Sequence, residues 1–482
     1  MGTMPAAVRL SSPAWLAVVG ALLLCGCSGA VTPTPSGHQP VRASAAPGEP
    51  ICTDQWQVTP VSYPAGGSSA SSGLGNSSLD SINGIAVVSG HDIWAVGGYD
   101  AYTSSGSGDL SGTLAEHWNG HVWSVVPVPD PSGTVNLGGD TLTAVTAFSS
   151  VDVWAVGYVG SPYAGLGGSR LELLPINTLI EHWNGSAWSI VPSPDVAASN
   201  GEPAWDLLTA ISGDSPDDIW AVGTTEWDVG DNGLTPSEPL VEHWNGSLWS
   251  IVPAAAPVPP YPSSKLGSAV VFFSGAGAFG DATLMGVTAI SPRDAWAVGQ
   301  YSPIDGTIPS GTLTEHWDGS SWSVITSPDR TLPEPLSNGS TMANDALTAV
   351  AATPDGAIWS AGEAAPASDL VLERNRSSWR LSNAPSMTAV PFYENSPPGL
   401  LAYPSPLYSV LAPSSKSVWI VGSVILHWDG SSWSSDFTAA GTDFGFLYAA
   451  AAVTSGDFWA AGPADFVHHT CGIAATKKRA GP

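Results

Sequence analysis

Four short stretches of the chain place an acid beside an imidazole: Glu116-His117, Glu181-His182, Glu242-His243 and Glu315-His316. Carboxylate and imidazole are the usual partners of general acid–base catalysis. Their setting argues for a scaffold instead. Each pair sits inside the same string, Glu-His-Trp-Asn/Asp-Gly-x-x-Trp. A catalytic centre needs one convergent set, whereas a scaffold repeats its parts. On a strand, neighbours also point to opposite faces, so the two members of a pair cannot act together. Aspartates recur in the same manner at Asp92, Asp152, Asp218, Asp294 and Asp457, two residues before a tryptophan. In a turn they are expected to bond the backbone as Asx-turns. His468-His469 stands alone, and diverging neighbours do not share a metal. Asp228-Val-Gly-Asp231-Asn-Gly lacks the full spacing of a calcium loop. No nucleophile elbow, HExxH, phosphate loop or CxxC occurs. The expectation is no metal and no cofactor.

The elements that carry these residues follow from the repeat. Asp-x-Trp-Ala-Val-Gly appears at Trp94, Trp154, Trp220 and Trp296, with looser copies at Trp359, Trp419 and Trp459. The Glu-His-Trp string follows with Trp118/Trp123, Trp183/Trp188, Trp244/Trp249 and Trp317/Trp322, is eroded before Trp379, and returns at Trp428/Trp433. In the second copy, Leu142–Phe148, Val153–Tyr158, Thr178–Trp183 and Ala187–Pro192 read as four strands, the last two joined by an Asn-Gly hairpin turn. Apolar residues on both faces require cover on both sides, which radial stacking of small sheets supplies. The seventh copy lacks a fourth strand, and Gln55–Pro60 matches Ala187–Pro192, so the chain's N-terminal strand is expected to complete it. The fold expected is all-β: a seven-bladed β-propeller of four-stranded blades over 51–472. Its tryptophans pack between blades, and only Trp15, Trp205 and Trp227 fall outside the repeat.

Trp-Asn/Asp-Gly-x-x-Trp followed by Pro-x-Pro resembles the third-to-fourth-strand segment of kelch-type propellers, the group that includes the galactose oxidase central domain. The kelch double glycine survives only as Gly97-Gly98. Asp-Gly-Ser-Ser-Trp at Asp318 and Asp429 resembles the sialidase Asp-box, one residue short. The copper chemistry of galactose oxidase is not implied, because each cysteine here has another role, and sialidase chemistry would need clustered arginines.

Composition restricts the partners. The 482 residues carry 13 Lys+Arg against 41 Asp+Glu, a net charge of −28, so the chain would repel phosphate and is not a nucleic-acid binder. With 43% hydrophobic residues it is no disordered acidic tail. Residues 1–27 read as a signal peptide, with Arg9 before the apolar run Ala14–Leu24. The run ends in Leu24-Cys25-Gly26-Cys27, which resembles the lipobox of bacterial lipoproteins; the resemblance implies a lipid on Cys27 and an extracytoplasmic, membrane-anchored protein. The Pro/Ser/Ala-rich stretch 28–50 reads as a tether, and 473–482 as a polar tail. Cys52 and Cys471 then remain as the only pair for a disulfide. Aligning Cys471 with Asn184 sets both cysteines at the turn that blade seven lacks.

Blade turns divide into two sets. First–second and third–fourth turns are tight. Second–third and blade-to-blade loops are long and varied, as in Gly98–Gly112, Tyr158–Asn177, Pro253–Thr283 and Ser382–Pro406. Binding residues concentrate on variable loops held by a rigid scaffold. Trp205 and Trp227, beside Asp228 and Asp231, are the ligand-binding candidates, as an aromatic platform with polar flanks. The functional expectation is a monomeric, non-enzymatic surface module that binds a glycan or a protein through the long-loop face. The alternative is a glycan-active hydrolase or lyase with single catalytic residues in those loops.

Overall fold

The computed structural model describes residues 52–62, 81–102, 109–131, 139–160, 176–196, 204–227, 237–255, 281–302, 310–330, 344–365, 368–375, 377–385, 407–436, 447–463 and 465–473. The leader 1–27, with Cys27, the tether 28–50 and the tail 474–482 lie outside them. Every described element is a strand, and the strands form seven blades of four antiparallel strands in a ring. Blade 2 shows the pattern: Thr141–Ser149, Asp152–Val159, Asn177–Trp183 and Trp188–Ile190, paired in that order. The fourth strand is only three residues long, shorter than its apolar pattern suggests, because the chain leaves the sheet to cross to the next blade.

The first strands lie innermost and touch each other around the ring. Polar side chains tie them together. Thr143 Oγ1 donates to Leu208 O at 2.7 Å, in the next blade, and Thr209 Oγ1 donates to Leu284 O at 2.9 Å. Asn83 Nδ2 reaches Leu142 O at 2.9 Å, and Thr348 Oγ1 reaches Leu407 O. Each donor is the extra residue of a β-bulge, with register shifts at Ile82/Gly84, Leu142/Ala144, Leu208/Ala210 and Leu347/Ala349. A bulge re-aims one side chain out of the ladder, and here it aims at the neighbouring blade. The Gly of Ala-Val-Gly has its cause at the same place. A Cβ on Gly223 would stand 1.8 Å from Leu207 O.

Tryptophans fill the spaces between blades. Trp154 packs on Trp244 and Trp249 of the following blade at 4.9 and 5.9 Å between ring centroids. Trp94 does the same with Trp183 and Trp188, and Trp459 closes the circle on Trp118 and Trp123. Burying a large side chain stabilises by roughly 1.5–3 kcal/mol, so these rings form a large share of the core. Cys52–Pro60 pairs antiparallel with Asp465–Ile473 as the outer strand of blade 7.

That pairing corrects one alignment. Trp56 faces His469, as Trp188 faces Trp183, so Thr470 takes the Asn184 position and Cys471 falls one residue beyond. Cys52 stands opposite Ile473, and Cys471 opposite Asp54. The two cysteines are therefore diagonal neighbours, and diagonal positions on paired strands lie about 7–8 Å apart. A disulfide spans at most about 6.8 Å between Cα atoms.

Candidate functional site

The repeated acids and imidazoles are consumed by the scaffold. In blade 3, His243 Nε2 meets Asp218 Oδ1 at 2.5 Å and the imidazole packs on Trp220 at 4.2 Å. The same trio recurs as Asp92–His117–Trp94, Asp152–His182–Trp154, Asp294–His316–Trp296 and Asp457–His468–Trp459. These aspartates thus bind side chains rather than forming the Asx-turns assigned to them; Asp152 and Asp294 also accept their own blade's indole N–H at 2.9 Å. The Asx-turns belong to the third–fourth hairpins. Asn184 Oδ1 accepts Ser186 N and Ala187 N, while Gly185 takes φ 90°, a left-handed conformation that glycine adopts without strain.

The glutamates point the other way, into the seam where the preceding blade's linker crosses. Glu116, Glu181, Glu242 and Glu315 are all fully buried. Glu116 accepts the Ser62 N–H at 2.9 Å and Glu315 the Ala255 N–H at 3.0 Å. Ser62 and Ala255 each lie six residues after the fourth-strand tryptophan, Trp56 or Trp249. Six residues after Trp123 and Trp188 come Pro129 and Pro194, which have no N–H to give. Both oxygens of Glu181 and of Glu242 accordingly accept no hydrogen bond among the described residues. Burial raises Glu116 and Glu315 to about 7. Burial, with repulsion from Asp130 and Asp140, raises Glu181 to about 8, and burial with Asp195 and Asp206 does the same for Glu242. Where the repeat erodes, the glutamate becomes Leu372, Leu426 or Val467. Raised carboxyls are the mark of general acids, but these are sealed from any substrate.

Of the ligand candidates, Trp205 and Trp227 prove to be strand residues. The first two strands of blade 3 run Ala204–Ser215 and Asp218–Trp227, longer than the repeat suggests. Trp205 pairs with Glu226, and Ala204 with Trp227. By strand alternation the two tryptophan positions fall on opposite faces of the blade. Asp228 and Asp231 lie outside the described residues. Among the described residues no group of three or more His, Cys, Asp or Glu is arranged to hold a metal ion.

Sequence reasoning missed another group at the same end of the ring. The bulge position that is Asn83, Thr143, Thr209, Met285 and Thr348 in blades 1 to 5 is Tyr408 in blade 6 and, by alignment of Leu447-Tyr448 with Leu407-Tyr408, Tyr448 in blade 7. Their rings meet edge to face at 5.1 Å and 88°. Burial raises the Tyr408 hydroxyl, with Tyr448 and Glu363 adding to it, and burial also raises the Glu363 carboxyl near the end of the second strand of blade 5. Directly across the ladder from Glu363 stands Asp369. The signal available was a tyrosine at that position in the two blades whose second–third connections are two and three residues long, Gly422 to Ile425 and Ala461 to Asp465.

No protein-family model matches the chain, and no curated protein matches it. Among solved structures it is similar to YCF48 bound to a D1 peptide, at 11% identity and a TM-score of 0.44 over 86% of this chain and 97% of that one. A second similar structure is the WD40 propeller of Doa1, at 9% identity and 0.41 over 83% and 96%. A third is the fucose-specific lectin from Aleuria aurantia, at 12% identity and 0.38 over 74% and 95%. These are likenesses among propellers. They single out no family and leave the kelch resemblance without support.

Proposed function

We propose that the chain is a binding module, displayed outside the cytoplasm on a lipid at Cys27, that recognises a glycan or a protein through its long-loop end. One observation carries this reading: the imidazoles and glutamates whose types suit catalysis are spent on Trp–His–Asp clamps and sealed seams. What varies in length between blades is the set of second–third and blade-to-blade connections, at the end of the ring where Trp205 opens the first strand of blade 3 and Trp227 closes the second. A rigid ring with a variable end suits recognition. The tether would hold that ring at a distance from the lipid, and the charge of −28 turns away polyanions. A glycan array and a pull-down with the purified protein, run beside a turnover screen on the glycans that bind, test it. Capture without turnover is the expected result; efficient turnover would make the protein a glycan-active enzyme instead. Membrane fractionation of Cys27→Ala tests the anchor, which predicts release or an unprocessed precursor.

A further inference from the structure

Among the described residues, blade 2 alone has a glutamate with neither oxygen hydrogen-bonded in the seam on each side of it. Towards blade 1 that residue is Glu181 and towards blade 3 it is Glu242, both fully buried. The next seams on either side differ by one donor: Glu116 takes the Ser62 N–H at 2.9 Å and Glu315 the Ala255 N–H at 3.0 Å. The linkers against Glu181 and Glu242 offer Pro129 and Pro194 instead, which have no N–H. Other acids crowd both carboxyls. Asp130 of the linker and Asp140, just before the first strand of blade 2, act on Glu181. Asp195 and Asp206 act on Glu242. The imidazoles bordering the two seams are closed on their own aspartates, His117 on Asp92 and His182 on Asp152, each at 2.8 Å. No Lys or Arg occurs among the described residues of blades 1, 2 and 3. A carboxylate formed in either seam therefore meets neither donor nor cation, and a buried charge without a partner is strongly destabilising. It is hydrated only if the seam parts. The seam between blades 2 and 3 also reaches the long-loop end, where Asp206 donates its N–H to Ile176 O at 2.8 Å and accepts the Val196 N–H at 2.6 Å.

We propose that blade 2 is the alkaline joint of the ring: ionisation of Glu181 and Glu242 loosens both of its seams, so that this blade opens to water before the others. The joint belongs to the ring itself and holds whatever the long-loop end binds. Burial first, and the neighbouring acids second, raise both carboxyls from 4.5 to about 8. Their protonated native forms are thus favoured at low pH, and that advantage is lost as pH rises through about 8. The proton goes to solvent, and water entering the parted seam hydrates the carboxylate left behind. Such opening is confined to one cooperative unit, unlike global unfolding. Blade 6 is the internal reference, because its two seams carry Leu426 and Val467 where the glutamates stand.

Hydrogen–deuterium exchange of the purified protein at pH 5.5 and pH 8.5, with labelling times scaled to equal intrinsic exchange, reads each blade separately. Raising the pH should lower protection in Asp152–Val159 and Asn177–Trp183 of blade 2, and at the Asp206 amide. The loss should be roughly tenfold or more relative to Ser417–Gly422 and Ile425–Trp428 of blade 6. Glu181→Gln with Glu242→Gln keeps the size of both side chains and cannot ionise, and should abolish the difference between the blades. If that double variant fails to fold, the parent's own blade-by-blade pattern decides, and Pro129→Ala, which returns an N–H to the seam between blades 1 and 2, should reduce the loss. An equal change in blades 2 and 6, or a larger one in blade 6, overturns the proposal. So does a loss in blade 2 that persists undiminished in a folded double-glutamine variant.

Discussion

Glu315 and Ala255 hold each other across a blade seam, carboxylate to backbone N–H at 3.0 Å. The counterpart of that N–H is missing at Glu181 and Glu242, where the linker carries Pro129 and Pro194. A single backbone donor thus divides four otherwise equivalent glutamates into two kinds.

The first consequence is a stability that falls as pH rises. A carboxyl whose folded value lies above its unfolded one binds its proton more tightly in the native state. The native state of Glu181 and Glu242 is therefore favoured at low pH. That advantage shrinks as pH climbs from about 4.5 towards about 8. Each tenfold difference in proton affinity between the two states corresponds to about 1.4 kcal/mol, and both groups have lost that advantage by about pH 8. Denaturant midpoints measured from pH 5 to 9 should fall across this window. Glu181→Gln with Glu242→Gln should flatten the curve, and Glu116→Gln should flatten it less.

Restoring the donor should do part of the same work. Pro129→Ala supplies an N–H at the place that Ser62 and Ala255 occupy in other seams. A hydrogen bond to a charged group contributes about 1.5–3 kcal/mol, against about 0.4–1 kcal/mol lost with the proline's rigidity. The variant should be more stable than the parent at pH 8.5 and equal or weaker at pH 5.5. A parent-like pH profile would mean that the linker N–H does not reach Glu181.

The Trp–His–Asp clamps are predicted to be structural alone. His243→Ala removes the Asp218 contact and the face packed on Trp220, and should cost about 1–3 kcal/mol. Partner affinity at a temperature well below melting should be unchanged. Lost binding with retained stability would place the clamp in the recognition surface.

Much of this molecule is legible in the repeat. The blades, the hairpin turns and the inter-blade tryptophans follow from strings such as Glu-His-Trp-Asn-Gly, because a scaffold repeats what it needs for packing. Trp205 and Trp227 were harder to place, since blade 3 extends its first two strands past the repeat's usual ends and turns loop-like positions into a ladder. The Tyr408–Tyr448 pair was concealed for another reason. A tyrosine in a strand reads as ordinary β-propensity, and only the bulge geometry shows that it replaces a threonine whose side chain ties two blades.

The cysteines give a test of chain closure. With Cys52 opposite Ile473 and Cys471 opposite Asp54, peptide mapping without reductant should recover the two thiols separately. A mapped Cys52–Cys471 bridge would show that the N-terminal strand sits about two residues further along its partner in solution.

The central claim is that one end of the ring does the binding. Hydroxyl-radical footprinting of the purified protein, with and without the partner captured in the array or pull-down, measures that end directly. Protection is predicted at Trp205, Tyr158, Tyr408 and Tyr448, with Val122, Val151 and Leu248 of the tight turns reacting as before. Protection confined to Val122, Val151 and Leu248, with the long-loop aromatics unchanged, would contradict it.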